Sequence, residues 1–346
     1  MAERTLTERQ LNRALLARQL LLERVEMPLT TAIERVGGLQ TQYAPSGYIG
    51  LWTRLSGFER ADLTRALERR RVIQGTLMRA TIHMVTARDY APMEAAVRES
   101  RRAWWLRATR HAKEAGAMEA DAARVRALLT DGPRRRKDIA AALGMDSTAW
   151  NGAVLWLDLV RVPPSGTWEQ RRADLYGLAE DWIGPLRDDP EAGLDLLVRR
   201  YLTAFGPASR KDIATWIGVP APDVERALGR VKTRRFQDAQ GKELLDLPRG
   251  PLPDPDTPAP IRFLPTWDAA LLVHARRTQI LPEAHRSKVF HTKTPHSIGT
   301  FLVDGQVAGT WTHDRGAVRP VPFERLPRDA QRELADEAER LTAFMA

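Results

Sequence analysis

Cysteine is absent from the 346-residue chain, which excludes disulfide bonds, thiolate metal sites, cysteine-ligated iron–sulfur clusters and cysteine nucleophiles. No apolar run approaches the roughly 20 residues that a membrane-spanning helix needs. The first residues lead straight into a charged amphipathic segment, with no signal peptide before it. We therefore expect a cytoplasmic protein without a membrane partner, and we expect no metal and no cofactor.

Lysine is scarce, although the chain is strongly basic. Seven of the 53 basic residues are lysines, none of them lies in residues 1–112, and the formal net charge is +9. The excess is therefore arginine, whose planar fork matches the geometry of phosphate groups. Such a charge favours an anionic polymer as partner. The alternative is compositional, because GC-rich genomes encode arginine, alanine and leucine heavily.

An internal repeat organises the middle of the chain. Residues 132–140 (GPRRRKDIA) return as residues 206–214 (GPASRKDIA), with seven of nine positions identical. Each copy ends a short predicted helix at a glycine, Gly144 or Gly218, where a tight turn needs positive φ. Second helices are predicted over residues 148–159 and 221–231.

A hairpin is predicted after each second helix, over residues 160–170 and 233–247. Both segments place glycine with proline, serine or glutamine between strand-like flanks. A helix–turn–helix followed by a hairpin is a winged helix, so the repeat predicts two of them.

The N-terminal third is interpreted as a third, divergent copy. Its predicted elements are a capping box at residues 5–8, an amphipathic helix carrying Leu11, Leu15 and Leu22, helices over 30–36 and 63–71, and two strands within 72–85.

The C-terminal part has a different character. Residues 248–260 hold six prolines and are interpreted as a linker. Strands are predicted at 263–265, 301–311 and 318–323, with a hairpin turn at Asp304-Gly305, and a closing helix over 326–344.

These patterns predict an α+β, mainly α fold of three tandem winged helices with a small C-terminal β element. The predicted units are residues 1–125, 126–190, 191–250 and 261–346. Three winged helices with a basic excess are typical of nucleic-acid binding. The fold does not fix the function, so a non-catalytic DNA-binding regulator and a scaffold for protein contacts stay open.

Three stretches carry a resemblance to a known family. They are residues 37–55 (GGLQTQYAPSGYIGLWTRL), residues 79–85 (RATIHMV), and residues 264–272 (LPTWDAALL) with 280–282 and 301–305. In this order they resemble the AlkZ/YcaQ-type winged-helix DNA glycosylases. The resemblance implies a C-shaped, monomeric enzyme that excises bulky or crosslinking alkylpurine adducts from double-stranded DNA. Gln40-x-Gln42 is similar to members paired with antibiotic self-resistance, and Thr41 departs from the usual apolar middle residue.

The resemblance makes Gln40 and Gln42 candidate catalytic residues. A purine alkylated at N7 or N3 is a good leaving group, so the protein must chiefly place a water beneath an oxocarbenium-like sugar. A glutamine carbonyl oxygen accepts a hydrogen bond from water, and residues i and i+2 point the same way in an extended segment. The alternative is that both are loop amides bonded to backbone. Without a lysine nearby for a Schiff base, we expect hydrolysis to an abasic site without strand cleavage.

Further basic and polar side chains are candidates for DNA contact. Arg79, Thr81 and His83 alternate on a predicted strand and could face DNA or form an ordinary sheet surface. The other candidates, which could equally be a solvated face, are Arg276, Arg277, Lys293 and His296.

Three other features of the sequence fit a structural role better than a role in catalysis or metal binding. His285, His291 and His296 have no familiar metal-site spacing. Asp268 is interpreted as a helix cap in preference to a catalytic group. The Trp104-Trp105 pair is typical of a core edge, although flanking arginines would also suit a DNA contact.

Overall fold

The computed structural model describes residues 4–108, 115–272, 278–290 and 298–346, and shows a mixed α/β chain with more helix than strand. The helices are α1 Glu8–Arg18, α2 Leu29–Arg35, α3 Pro45–Trp52, α4 Arg60–Glu68, α5 Ala87–Ala108, α6 Ala115–Leu129, α7 Arg136–Leu143, α8 Ser147–Ala153, α9 Ala179–Ile183, α10 Pro190–Phe205, α11 Arg210–Ile217, α12 Ala221–Arg230, α13 Ala269–Leu272, α14 Arg286–Val289 and α15 Arg328–Met345. The strands are β1 Thr5–Leu6, β2 Leu39–Gln40, β3 Val72–Thr76, β4 Ile82–Thr86, β5 Arg134–Arg135, β6 Leu159–Arg161, β7 Leu175–Leu178, β8 Arg234–Asp238, β9 Glu243–Asp246, β10 Arg262–Leu264, β11 Thr300–Val303, β12 Gln306–Asp314 and β13 Ala317–Pro322. Short 3-10 turns cover Met78–Ala80, Val154–Trp156 and Glu283–His285.

The repeat forms two helix–turn–helix units, each followed by an antiparallel strand pair. Gly144 joins α7 to α8 with φ +62°, and Gly218 joins α11 to α12 with φ +85°, so both predicted turns are confirmed. Strands β8 and β9 form the second hairpin where it was predicted.

The first copy departs from its prediction after α8. That helix ends at Ala153, six residues before the predicted end, and Leu159 already pairs with Leu178 in the β6–β7 ladder. The returning strand also lies later in the chain than predicted. Pro163 and Pro164 come one residue after β6, and prolines have no N–H to donate to a ladder.

The N-terminus shows one correction. Helix α1 begins at Glu8 with Thr7 as its N-cap, and the capping box is closed by Gln10, so the box predicted at residues 5–8 is wrong. Thr5 and Leu6 instead form β1, which pairs in parallel with β8. A local capping pattern could not reveal this pairing, because its partner lies more than 200 residues away. The first and third units therefore share a sheet.

The strands of the first and second units also join. A six-stranded sheet runs in the order β2-β4-β3-β6-β7-β5, with Gln74 opposite Arg161 across the junction of β3 and β6. The boundary expected at residue 126 falls inside α6, whose Val125 and Leu129 pack in one core with Trp150. Strand β2 ends this sheet and carries Gln40.

The C-terminal part contains the predicted strands and closing helix. Strands β10 to β13 form an antiparallel sheet, and α15 contributes Leu334 and Leu341 to the core beneath it. The turn at Asp304-Gly305 has φ +45° and +79°. Within the described ranges, no helix combines the length and apolar character needed to cross a membrane.

Candidate active site

Two glycines turn the chain from α2 into β2. Gly37 and Gly38 have φ +79° and +84°, a left-handed conformation that residues with a β-carbon rarely adopt. Gln40 then lies opposite His83 in the ladder with β4, and the Thr41 N–H donates to the Ile82 carbonyl at 2.8 Å. Leu39 and Gln40 are extended, as predicted, whereas the chain bends at Gln42.

The two glutamine amides form a hydrogen-bonded pair. Gln40 is 8% exposed, and its Nε2 donates to Gln42 Oε1 at 2.8 Å. Gln42 is exposed. Arg79 Nη2 donates to Gln40 Oε1, also at 2.8 Å. Each amide oxygen accepts one of these bonds and has a second lone pair, so one hydrogen-bonded chain holds two amide acceptors.

Thr41 packs through its methyl group. The residue is buried, and its Cγ2 lies 3.0 Å from the point that a β-carbon on Gly47 would occupy. Its hydroxyl has no hydrogen-bond partner among the described residues. Thr41 thus packs against α3 through its methyl group as a small apolar residue would.

Arg79 lies on a turn and not on the strand that its spacing predicted. It belongs to the 3-10 turn Met78–Ala80 and has φ +54°. Its guanidinium donates to the Trp216 carbonyl of α11 as well as to Gln40. Burial lowers the pKa of Arg79 to about 10. Because Arg79 and Ala80 both have positive φ, the period-two alternation with Thr81 and His83 is broken.

His83 is the only member of that trio on β4, and its ring is buried. The residue is 2% exposed, and Nδ1 lies 3.0 Å from the Thr81 carbonyl. Burial, aided by the charge of Arg79, lowers the pKa of His83 to about 3. The imidazole is therefore neutral near pH 7. Contact of these three residues with DNA stays a prediction.

A cleft of about 630 Å³ lies beside Arg79. Residues of α5 and the turn after α11 line it, among them Arg101, Trp104, Arg107 and Gly218. Trp104 is 48% exposed, whereas Trp105 is half-buried and its Nε1 lies 2.7 Å from where a β-carbon on Gly152 would stand. The interpretation of the pair as a core edge therefore fits Trp105 only, and the sequence did not predict the cleft.

A second contact was also missed from the sequence. Arg171, in the loop between β6 and β7, donates from Nη1 to the Tyr43 hydroxyl at 3.1 Å. Its guanidinium also lies 5.5 Å from the centre of the Trp168 ring. Tyr43 is exposed directly beside Gln42. The second unit thus supports the segment that carries the two glutamines.

The family model of the DNA glycosylase AlkZ-like proteins matches residues 33–344. The chain belongs to the AlkZ-like DNA glycosylase family. The solved structure of the Streptomyces sahachiroi DNA glycosylase AlkZ is similar, with a TM-score of 0.81 over 98% of this chain and 97% of that one, at 19% identity. Among curated proteins, no sequence match was found. The likeness in structure shows that this chain has the AlkZ fold.

Asp268 caps a helix and forms a buried ion pair in this AlkZ-like fold. Its Oδ1 accepts from the Ala270 N–H at 3.0 Å, as expected for a cap of α13. Both of its oxygens also accept from Arg54 at 2.9 Å. The carboxylate is buried, and its bonds to Arg54 and the Ala270 N–H give it a structural role as an ion pair and helix cap.

The other candidates from the sequence are the histidines of the C-terminal part and the predicted DNA contacts there. Within the part of the chain that the structure describes, no group of three or more metal-ligating side chains is found. His285 lies against the ring of Phe323. The predicted DNA contacts Arg276, Arg277, Lys293 and His296 lie outside the described residues.

Proposed function

We propose that this chain is a monofunctional DNA glycosylase that hydrolyses the N-glycosidic bond of N7- or N3-alkylated purines in double-stranded DNA. Gln40 and Gln42 hold the attacking water, and three winged helices form a C-shaped, monomeric clamp around the duplex. The observation that carries this proposal is the Arg79–Gln40–Gln42 hydrogen-bonded chain, in which each amide oxygen accepts one bond and Gln42 is exposed.

The chemistry suits two neutral amides. Alkylation leaves a positive charge on the purine, so the bond from the anomeric carbon to the base nitrogen breaks with its electron pair going to the base, and no acid is needed. The water donates to the amide oxygens while its own oxygen bonds to the anomeric carbon, and its proton passes to solvent because an amide is too weak a base to keep it. An unmodified purine lacks this charge and should stay bound.

The lysine distribution supports hydrolysis without strand cleavage. A lyase step needs an amine that forms a Schiff base with the sugar. No lysine lies in residues 1–112, which hold both glutamines and Arg79. We therefore propose that the product is an intact strand with an abasic site.

The cleft beside Arg79 supports a bulky adduct or an interstrand crosslink as the lesion, and with it a role in antibiotic self-resistance. Its volume of about 630 Å³ exceeds what a methyl group requires, and the exposed Trp104 ring offers a face for an aromatic substituent. Trp104→Ala should weaken binding of DNA carrying an aromatic N7 adduct by about tenfold. Binding of DNA carrying N7-methylguanine should stay within about twofold of wild type. Equal losses on both DNAs would argue against this role of the cleft.

The deciding experiment is base release from duplex DNA under single-turnover conditions. Wild type should release N7-methylguanine and leave normal guanine in place. Gln40→Ala and Gln42→Ala should each slow release by roughly a hundredfold, while Gln331→Ala, an exposed glutamine on α15, should match wild type. Unchanged rates in both site variants would refute the role of the amides. Salt-sensitive DNA binding without any base release would favour a non-catalytic regulator.

A further inference from the structure

Arg79 is an unusual residue for a surface-contact role. It is held in a left-handed conformation, φ +54°, which residues with a β-carbon rarely adopt. Both of its guanidinium contacts are to neutral oxygens, the Trp216 carbonyl and Gln40 Oε1. An arginine in this backbone conformation, largely buried and bonded to an amide, is not explained by general electrostatic attraction to DNA.

The direction of the hydrogen bonds supplies that reason. A guanidinium can only donate, so the Gln40 atom facing Arg79 must be the oxygen, and Gln40 must present its NH₂ group to Gln42. Gln42 must then present its own oxygen to Gln40. One arginine therefore decides which way both amides face, at distances of 2.8 Å for each bond.

Without Arg79, nothing in this chain of bonds distinguishes oxygen from nitrogen. Both amides could then rotate by half a turn and still bond to each other. That rotation would place NH₂ donors where the attacking water needs acceptors.

We propose that Arg79 is a positioning residue for the glycosylase reaction: its fork orients Gln40, and through Gln40 also Gln42, so that both amide oxygens accept from the water. This inference rests on the proposed function above. It assigns Arg79 a role beyond the DNA proximity expected from the sequence. It also links the catalytic segment to the second helix–turn–helix of the repeat, because another nitrogen of the guanidinium is bound to the Trp216 carbonyl of α11.

A double-mutant cycle tests the inference on the full chain. Arg79→Met keeps the β-carbon, and hence the backbone strain, but removes both donors. It should lower the single-turnover release of N7-methylguanine by about tenfold or more, with DNA affinity and its salt dependence unchanged. In a Gln40→Ala background, the same substitution should change the rate by less than about twofold, because a residue acting through Gln40 has nothing left to orient.

Two further variants control the cycle. Arg79→Lys keeps the charge but cannot bridge two acceptors with a planar fork, so it should restore little of the rate. Arg69→Met removes an exposed arginine from the end of α4 and should match wild type in rate and thermal midpoint.

Several results would overturn the positioning role. A salt slope reduced by about one, with the chemical step intact, would make Arg79 a phosphate contact. Additive losses in the double mutant would show that Arg79 acts independently of Gln40. Full rescue by lysine would show that the charge of Arg79, and not its control of amide orientation, determines the rate. If Gln40→Ala and Gln42→Ala both keep wild-type rates, the proposed function itself fails. If they are slow while Arg79→Met is not, only the positioning role fails.

Discussion

At position 42 a carboxylate meets the same hydrogen-bond requirements as the glutamine amide. Gln42 accepts from Gln40 Nε2 through its oxygen, and a glutamate oxygen can do the same while accepting from water. A negative charge would also favour a cationic sugar. We expect Gln42→Glu to keep base release within about tenfold of wild type, whereas Gln42→Leu, of similar size but without an acceptor, loses roughly a hundredfold. Equal rates in the two variants would contradict an acceptor role for residue 42.

His83 predicts a pH dependence of stability. Its folded pKa is lowered to about 3, while an unfolded histidine has a pKa of about 6.5. Between these values the unfolded chain binds a proton that the native chain does not. The contribution of His83 is therefore complete above about pH 6.5 and is lost as the pH falls.

Urea unfolding of wild type and His83→Gln at pH 7 and pH 5 measures this contribution. Wild type should lose about 2 kcal/mol more than the variant between the two values. Burial and the neighbouring Glu94 raise the pKa of Asp158, which gives the opposite slope, but that contribution is common to both proteins and cancels in the difference. Identical losses would mean that the imidazole is accessible to protons in the native state.

At the scale of elements, the two repeats provide a matched pair of turns. Gly144 and Gly218 both have positive φ, so an alanine at either should cost about 1–2 kcal/mol. A β-carbon at Gly144 would meet open space, whereas one at Gly218 would lie 3.1 Å from the Arg79 nitrogen and 3.3 Å from its Cα. The added methyl group would displace Arg79 and weaken its bond to Gln40. We therefore expect Gly218→Ala to lower base release severalfold, about the effect of losing one hydrogen bond.

Gly144→Ala serves as the control for that prediction. It should show a similar loss of stability with a wild-type rate of base release, because its turn does not contact Arg79. If both alanine variants released the base at the same rate, the turn after α11 would have no influence on the site.

Elements with local determinants were predictable from the sequence. The turns at Gly144, Gly218 and Asp304-Gly305 depend on residues that tolerate positive φ, and each was located correctly. Pairings between distant segments were not predictable, because no local pattern encodes them. The parallel pairing of β1 with β8 and the junction of β3 with β6 are of this kind, and both join units that the sequence had kept separate.

The candidate site likewise has one feature that the local sequence predicted and one that it did not. The Gly37-Gly38 break correctly predicted the extended residues Leu39 and Gln40. The amides of residues 40 and 42 are bonded to each other, although the chain bends at Gln42. The bond from Arg79 to Gln40 escaped prediction, because a two-residue period implies a strand and gives no sign that Arg79 and Ala80 adopt left-handed conformations. The sequence marked Arg79 as a candidate for DNA contact, which stays a prediction, and gave no indication of its bond to the Gln40 amide.

At the scale of the whole molecule, two buried ion pairs tie distant parts of the chain together. Arg18 of α1 meets Asp246 of β9 with both side chains fully buried, and Arg54 binds both oxygens of Asp268 at 2.9 Å. Arg18 also donates to the Leu202 carbonyl of α10. The first pair links the first unit to the third, and the second links the first unit to the C-terminal part.

Breaking the first pair should therefore destabilise the whole molecule. Asp246→Asn leaves the Arg18 charge buried and uncompensated, which costs about 3–5 kcal/mol. Since the pair joins α1 to β9, the entire unfolding transition should move to lower denaturant, without a separate early step. Asp329→Asn breaks an exposed pair with Arg332 on α15 and should cost less than about 1 kcal/mol. Equal shifts in the two variants would mean that the buried pair contributes no more to stability than an exposed one. An early transition confined to Asp246→Asn would mean that the pair stabilises only part of the molecule.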